Sequence, residues 1–157
     1  MGEDVGLEIR LGKAADAPLL GRMLHEFNFE FDSQTPSAGA IADLAGPQLE
    51  SGEIAVLFAG DGPVGFAQLR FRLSLYDSAP AVTLEELYVQ PDQRGRGFGF
   101  ALLDAAMDHA RERGATHIDL NTSEDDTAAR ALYERNGFTN REGGEDGSTM
   151  LYYERDL

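Results

Sequence analysis

A glycine-rich turn in the middle of the sequence has the residue types that bind phosphate. It follows an apolar segment and precedes an alanine- and leucine-rich segment that predicts a helix. Its residues are Arg94, Gly95, Arg96, Gly97, Phe98 and Gly99. Glycines let a ligand approach the backbone because they carry no Cβ, and the amides at the start of a helix attract anions. Since two arginines add positive charge, the turn is predicted to bind a phosphate group.

The spacing of this turn bears on which phosphate it binds. A P-loop requires Gly-Lys-Ser or Gly-Lys-Thr, which is absent. A dinucleotide-binding turn requires Gly-x-Gly-x-x-Gly directly after the strand, but Phe100 stands at the third glycine position and the turn begins well beyond Val89. Asp119 does lie about 20 residues further on, where a ribose ligand is expected. Dinucleotide binding therefore stays open as an alternative.

Two adjacent glutamates, Glu85 and Glu86, lie among leucines in the segment before the turn. Buried charge is costly, and apolar surroundings or a neighbouring carboxylate raise the pKa of a carboxyl toward the range useful for a general base. Adjacent strand residues face opposite sides of a sheet, so at most one glutamate faces a substrate unless a β-bulge intervenes. The other glutamate is expected to pair with Arg70 or Arg72.

The first half of the chain predicts two helices and three strands before the central segment. Alternating polarity predicts a strand over residues 7–11, and helical spacing predicts a helix from Ala17. A short helix over 37–49 is expected to be interrupted at Gly46-Pro47. Strands over 54–59 and 64–75 flank the hairpin residues 60–63, and the segment 82–89 forms a further antiparallel strand.

The second half predicts a parallel strand, two helices and a final hairpin. A helix follows the glycine-rich turn, and a strand over 117–121 lies parallel to the strand over 82–89. Ser123 or Asp125 is expected to cap the next helix, and 150–154 to form a terminal strand. The resulting fold class is α+β, with a mixed, mostly antiparallel central sheet flanked by helices, in one domain over residues 1–157. A doubly wound fold would alternate strands with helices instead.

Composition excludes several classes of function. The 157 residues carry a net charge of −15. Most of these acidic residues are expected to form a solvated surface, with attraction of a cationic substrate as the alternative, and either way nucleic-acid binding is disfavoured. The absence of cysteine excludes disulfides, thiolate nucleophiles and cysteine-ligated zinc, and no metal site is predicted. No run of about 18 apolar residues and no apolar leader at the N-terminus occur. We therefore expect no membrane association and a cytoplasmic location.

Two motifs resemble those of a known family. Arg94, Gly97 and Gly99 form Arg-x-x-Gly-x-Gly after Tyr88-Val89-Gln90-Pro91, and residues 129–138 read Ala-x-x-Leu-Tyr-Glu-x-Asn-Gly-Phe. In this order they resemble motifs A and B of the GNAT N-acetyltransferases, which bind acetyl-CoA. The resemblance implies the GNAT fold and acetyl transfer to an amine. It also allows a homodimer paired through the terminal strands.

The resemblance implies a role for each site residue. The turn from Arg94 to Gly99 holds the pyrophosphate of CoA, and the backbone of Leu87 and Val89 contacts its pantetheine arm. An amide near Tyr88 or Val89 is the expected oxyanion donor. The remaining predicted residues are Tyr133 as the acid that protonates the thiolate, Glu85 or Glu86 as the base with Glu85 preferred, and Asn121, Asp126 and Ala129 beside the cofactor.

One position departs from the family pattern. Many members carry Asn where this chain has Asp126, and Asn121 is the residue that could replace it at the pantetheine arm.

The expected function is therefore acetyl transfer from acetyl-CoA to a primary amine by direct attack on the thioester. The preferred acceptor is a small molecule, with a protein or peptide amine as the other choice. A non-catalytic acyl-CoA-binding or regulatory module is the alternative, and dinucleotide binding is a weaker one. The sequence does not specify the acceptor or the acyl-chain preference.

Overall fold

The computed structural model describes residues 7–157, so the N-terminal residues 1–6, for which no leader is predicted, lie outside the described part. The described chain divides after Leu120 into two compact units. The elements of the first unit are β1 (Ile9–Leu11), α1 (Ala17–Glu30), α2 (Ala38–Ser51), β2 (Ile54–Ala59), β3 (Gly65–Leu73), β4 (Pro80–Val89), α3 (Phe98–Glu112) and β5 (Ile118–Asp119). The second unit contains α4 (Thr127–Arg135). The single domain expected over residues 1–157 stays a prediction.

The strands of the first unit form one five-stranded sheet in the order β1-β2-β3-β4-β5. Neighbours from β1 to β4 are antiparallel, and only β5 runs parallel to its neighbour β4. This confirms the predicted mixed, mostly antiparallel sheet. The parallel pair is short, since it comprises Val82 with Ile118 and Thr83 with Asp119. The strand predicted over 117–121 is thus limited to two residues.

Alternating apolar side chains give the sheet two buried faces. On one face Phe58 and Phe66 pack with Leu20 and Met23 of α1 and Ala45 of α2. On the other face α3 covers the sheet, and the ring of Phe71 lies edge-on to His109 at 6.0 Å. We call these the α1/α2 face and the α3 face. A strand side chain can therefore be assigned to a face by its position along the strand.

Helix α2 corrects the prediction of an interruption at Gly46-Pro47. The helix continues through Pro47 to Ser51 and ends where Gly52 adopts a φ of 78°. Its start is capped, since the Ser37 hydroxyl accepts a hydrogen bond from the Ala40 amide at 3.1 Å. Proline removes one helical hydrogen bond, and the burial of Ile41 and Ala45 offsets that loss.

The second unit also corrects two predictions. Asp126, rather than Ser123 or Asp125, caps α4, because its carboxylate accepts from the Ala129 amide at 3.1 Å. The final hairpin is reduced to a bridge between Arg141 and Thr149, so residues 150–154 do not form the predicted strand. Within this unit the strand would have only the short segment before Arg141 as a partner, and a strand requires a longer ladder of backbone hydrogen bonds.

No helix of the described residues is both long and apolar enough to cross a membrane.

Candidate active site

A β-bulge in β4 places both glutamates on the same face of the sheet. Gln68 pairs with Glu86 and Leu69 pairs with Leu84, so Glu85 is an extra residue with no partner on β3. Residues directly opposite each other in an antiparallel pair share a face. Glu86 therefore lies with Gln68 on the α1/α2 face. Glu85 lies there too, since its carboxylate contacts the Gln68 side chain at 3.2 Å.

Glu85 is bound by neighbouring side chains. Its carboxylate accepts a hydrogen bond from Arg70 Nε and forms an ion pair with that guanidinium. It also accepts from Gln68 Nε2. This confirms that one glutamate pairs with Arg70 or Arg72. Arg72 instead donates to the Thr83 hydroxyl at 3.2 Å, and this hydroxyl donates to Asp119 at 2.5 Å.

Glu86 has the properties of a general base. Burial and, to a lesser extent, the negative charge of Glu85 raise the pKa of the Glu86 carboxyl to about 7. Within residues 7–157 this carboxyl has no side-chain hydrogen bond or ion pair. A base whose pKa lies near neutrality can both accept and release a proton under ordinary conditions. The arrangement therefore favours Glu86 as the base over Glu85, which the sequence had favoured.

The glycine-rich turn has the backbone geometry of an anion cradle. Gly95 and Gly97 have φ angles of 77° and 87°, in the left-handed region that side chains disfavour. Gly97 precedes α3, and the first backbone bond of this helix runs from the Ala101 amide to the Gly97 carbonyl at 3.0 Å. The preceding amides of the first turn have no helical acceptor. A Cβ on Gly95 would meet no atom within 4 Å, so this side of the turn is open to a ligand. The turn therefore fits a pyrophosphate.

The two arginines of the turn have different surroundings. Arg94 Nε donates to the Val89 carbonyl and its Nη2 donates to Glu30 Oε2, both at 2.9 Å. Its guanidinium also lies 5.8 Å from the centre of the Tyr88 ring. Arg96 is exposed and has no side-chain partner within the described part of the chain. Arg94 thus anchors the turn to β4 and α1, whereas Arg96 is available to an anion.

The edge of β4 beyond β5 presents alternate backbone groups. The Gln90 amide donates to the Val64 carbonyl at 2.8 Å. Antiparallel pairing alternates along a strand, so the Tyr88 amide also faces β3 while those of Leu87 and Val89 face the edge that β5 leaves unpaired. The ring of Tyr88 packs against Phe27 at 5.0 Å. Burial, together with Glu30, raises the pKa of the Tyr88 hydroxyl.

The remaining predicted site residues lie in the second unit. Asp126 and Ala129 form the cap of α4, so the carboxylate that replaces the family's Asn has a structural partner. Tyr133 lies on α4, and its ring is edge-on to Phe138 at 5.8 Å. Asn121 lies outside any helix or strand.

Three polar residues of the site were missed by sequence reasoning: Gln48, Gln68 and Glu30. Gln68 had a signal, because it is a polar residue in the middle of an apolar strand and is only 6% exposed. Gln48 and Glu30 lie on helix surfaces, where polar residues are common.

Comparison with known proteins decides the family. The model of the acetyltransferase (GNAT) family matches residues 21–138, most of the chain. The chain belongs to the GNAT family of acetyltransferases. The resemblance in its motifs is thereby confirmed, and so is its assignment as an enzyme. The GNAT assignment also sets aside the dinucleotide-binding and non-catalytic alternatives.

Relatives and solved structures agree with the GNAT assignment. An uncharacterized N-acetyltransferase of Bacillus subtilis, YhfO, is 32% identical over 84% of this chain and 89% of the relative. An aminoglycoside N(6')-acetyltransferase of Stenotrophomonas maltophilia is 35% identical over 58% of this chain and 62% of its own length. The crystal structure of a putative acetyltransferase from Arthrobacter sp. FB24 is 39% identical, covers 100% of both chains and has a TM-score of 0.89.

Proposed function

We propose that this GNAT enzyme transfers the acetyl group of acetyl-CoA to a primary amine of a small molecule. The observation that carries this proposal is the β-bulge, because it puts the half-buried Glu86 carboxyl, with its pKa near 7, on the α1/α2 face of the central strand. A base of this kind deprotonates an ammonium group, which otherwise cannot attack.

Acetyl-CoA would be held by the cradle and by the free edge of β4. The amides from Arg94 to Gly99 bind the pyrophosphate and Arg96 supplies the positive charge. Leu87 and Val89 offer their outward amides and carbonyls to the pantetheine arm. When bound, acetyl-CoA supplies an acetyl group activated as a thioester.

Three residues of the chain account for the protons and charge. Glu86 takes a proton from the acceptor ammonium, directly or through water, so that the nitrogen can form a bond to the acetyl carbon. The Val89 amide faces outward and donates to the oxygen on which negative charge develops. As the bond between the acetyl carbon and sulfur breaks, Tyr133 would give its proton to the sulfur and would regain one from the nitrogen of the new amide, directly or through water. No covalent enzyme intermediate forms.

A cationic small molecule is the proposed acceptor. The chain carries a net charge of −15, which attracts cations, and one relative is named for aminoglycoside acetylation. No nucleic-acid partner is expected on the same electrostatic grounds. A protein or peptide amine is the second choice. A homodimer, a cytoplasmic location and the absence of a metal stay predictions.

The proposal is tested by thiol release from acetyl-CoA in the presence of an amine panel. The panel contains the aminoglycoside sisomicin, streptothricin, spermidine and a peptide with an N-terminal alanine. We expect release with a polycationic small molecule, and a loss of about 10²- to 10⁴-fold in Glu86→Gln. Release with the peptide alone would refute the small-molecule assignment. Release that Glu86→Gln does not change would refute the assignment of the base.

A further inference from the structure

A continuous chain of side-chain hydrogen bonds connects α2 to the bulge in β4. Gln48 on α2 donates from Nε2 to the Leu44 carbonyl at 2.9 Å and accepts at Oε1 from Arg70 Nη1 at 2.8 Å. Arg70 Nε in turn donates to Glu85. Because both ends of the Gln48 amide are engaged, its orientation is fixed, and the guanidinium is held between the helix and the bulged residue.

The same chain of hydrogen bonds reaches Gln68, the residue opposite Glu86. Gln68 Nε2 donates to Glu85 at 3.2 Å, and Gln68 is the cross-strand partner of Glu86. Gln68 is the one polar side chain of the described residues that is buried among the core positions. A bulge interrupts the ladder of backbone bonds and leaves its extra residue without a strand partner. Two side chains of β3, Gln68 and Arg70, therefore supply the contacts that the ladder lacks at Glu85, and Gln48 of α2 binds Arg70.

We propose that Gln48 and Arg70 are positioning residues that hold the bulge, and with it the Glu86 carboxyl, in place on the α1/α2 face. This inference rests on the proposed function, which makes Glu86 the base. Arg70 acts through Glu85, since its planar guanidinium binds the carboxylate and the Gln48 amide at the same time. Gln48 acts through Arg70 by tying that guanidinium to the helix backbone.

The charges around Glu86 predict how its pKa changes when Arg70 is removed from the chain of hydrogen bonds. Its neighbour Glu85 is negative, and Arg70 is the cation paired with that charge. On α1, Glu26 and Glu30 act on Tyr88 of the same face, where Arg94 opposes them. Removing the charge of Arg70 leaves Glu85 uncompensated beside Glu86. The protonated form of Glu86 is then favoured, and its pKa rises.

The experiment is a pH titration of the Glu86 carboxyl carbon by NMR in protein labelled with ¹³C at glutamate side chains. The resonance is assigned by its loss in Glu86→Gln. We expect Arg70→Met to raise the titration midpoint by about half a pH unit or more. Arg70→Lys keeps the charge and should bring the midpoint back toward that of the wild type. Arg72→Met is the matched control, because Arg72 lies on the same face of β3 but binds Thr83, and it should move the midpoint less.

Gln48→Leu removes the link to α2 without changing any charge. We expect the Glu86 midpoint to stay near that of the wild type while the Glu86 and Gln68 amides exchange with solvent faster than in wild type. An unchanged midpoint in Arg70→Met, or an equal shift in Arg72→Met, would overturn the role of Arg70. Unchanged amide exchange in Gln48→Leu would overturn the positioning role of Gln48. If Arg70→Met does not fold, this exchange measurement still tests whether the connection from α2 through Arg70 holds the bulge. The titration and exchange measurements contain neither acetyl-CoA nor an acceptor. A failure of acetyl transfer in the activity assay therefore refutes the proposed function without deciding the roles of Gln48 and Arg70.

Discussion

Replacing Glu86 by glutamine should make the protein more stable above neutral pH while it reduces turnover. The pKa of Glu86 is raised from 4.5 to about 7 in the folded protein, so the folded state binds a proton more tightly than the unfolded chain does. Between these two values the stability of the wild type falls as the pH rises. The full destabilisation is present above pH 7 and absent below pH 4.5. Glutamine stays neutral throughout and removes this dependence.

The magnitude follows from the pKa of Glu86. At 1.36 kcal/mol per unit of pKa, the shift in the Glu86 pKa corresponds to about 3 kcal/mol in the free energy of unfolding. We reduce this to about 2 kcal/mol because part of the side chain is exposed and screened by solvent. Urea denaturation followed by circular dichroism at pH 8 should show Glu86→Gln more stable by this amount, and nearly equal to the wild type at pH 4.5. Glu145→Gln, in an exposed turn, controls for the loss of one charge and should change stability by less than about 0.5 kcal/mol. Equal stability of Glu86→Gln and wild type at pH 8 would refute the reasoning.

Three further predictions concern the helices and the cofactor. Gly21→Ala would press its Cβ against the first carbonyl of α2 and should cost about 1–3 kcal/mol in thermal or urea unfolding. The control Gly39→Ala meets no atom within 4 Å and should be neutral or slightly stabilising. Arg96→Ala should weaken acetyl-CoA binding in calorimetry by about tenfold or more. Arg111→Ala, at the far end of α3, should not weaken it, and equal losses would count against the cradle. Tyr133→Phe should bind acetyl-CoA normally but lose about 10²- to 10⁴-fold in kcat, and a wild-type kcat would make Tyr133 a structural residue.

The sequence predicted the sheet because its strands carry local signals. The hairpin residues 60–63 and the alternation along β3 depend only on neighbouring residues, and the structure has β2 and β3 paired as expected. The family motifs likewise located the glycine-rich turn, where Gly95 and Gly97 have the positive φ angles that only glycine adopts easily.

What the sequence did not predict depends on contacts between distant residues. Helix α2 continues through Pro47 because its apolar residues are buried, and this burial is not visible in the local pattern. The glutamates illustrate the same limit. Which of them is free depends on Arg70 and Gln48, which lie 15 and 37 positions before Glu85 in the sequence. Arg70 meets Glu85, and Gln48 meets Arg70, only in the folded chain. The terminal strand was expected as the second arm of a final hairpin, but of this hairpin only the bridge between Arg141 and Thr149 forms.

The bulge divides β4 into two stretches in which the even-numbered residues face opposite sides of the sheet. Before it the even-numbered residues Val82 and Leu84 pair with Phe71 and Leu69 on the α3 face, whereas after it Glu86 and Tyr88 lie on the α1/α2 face. In a chain that lacked only Glu85, side chains would alternate regularly between the two faces along the whole strand. Since Leu84 and Glu86 pair with the adjacent residues Leu69 and Gln68, the other side chains of the strand would keep their present faces. Glu85 thus adds a second carboxylate beside Glu86 without displacing either apolar core, so a chain that lacked only this residue should keep its packing and have a lower pKa at Glu86.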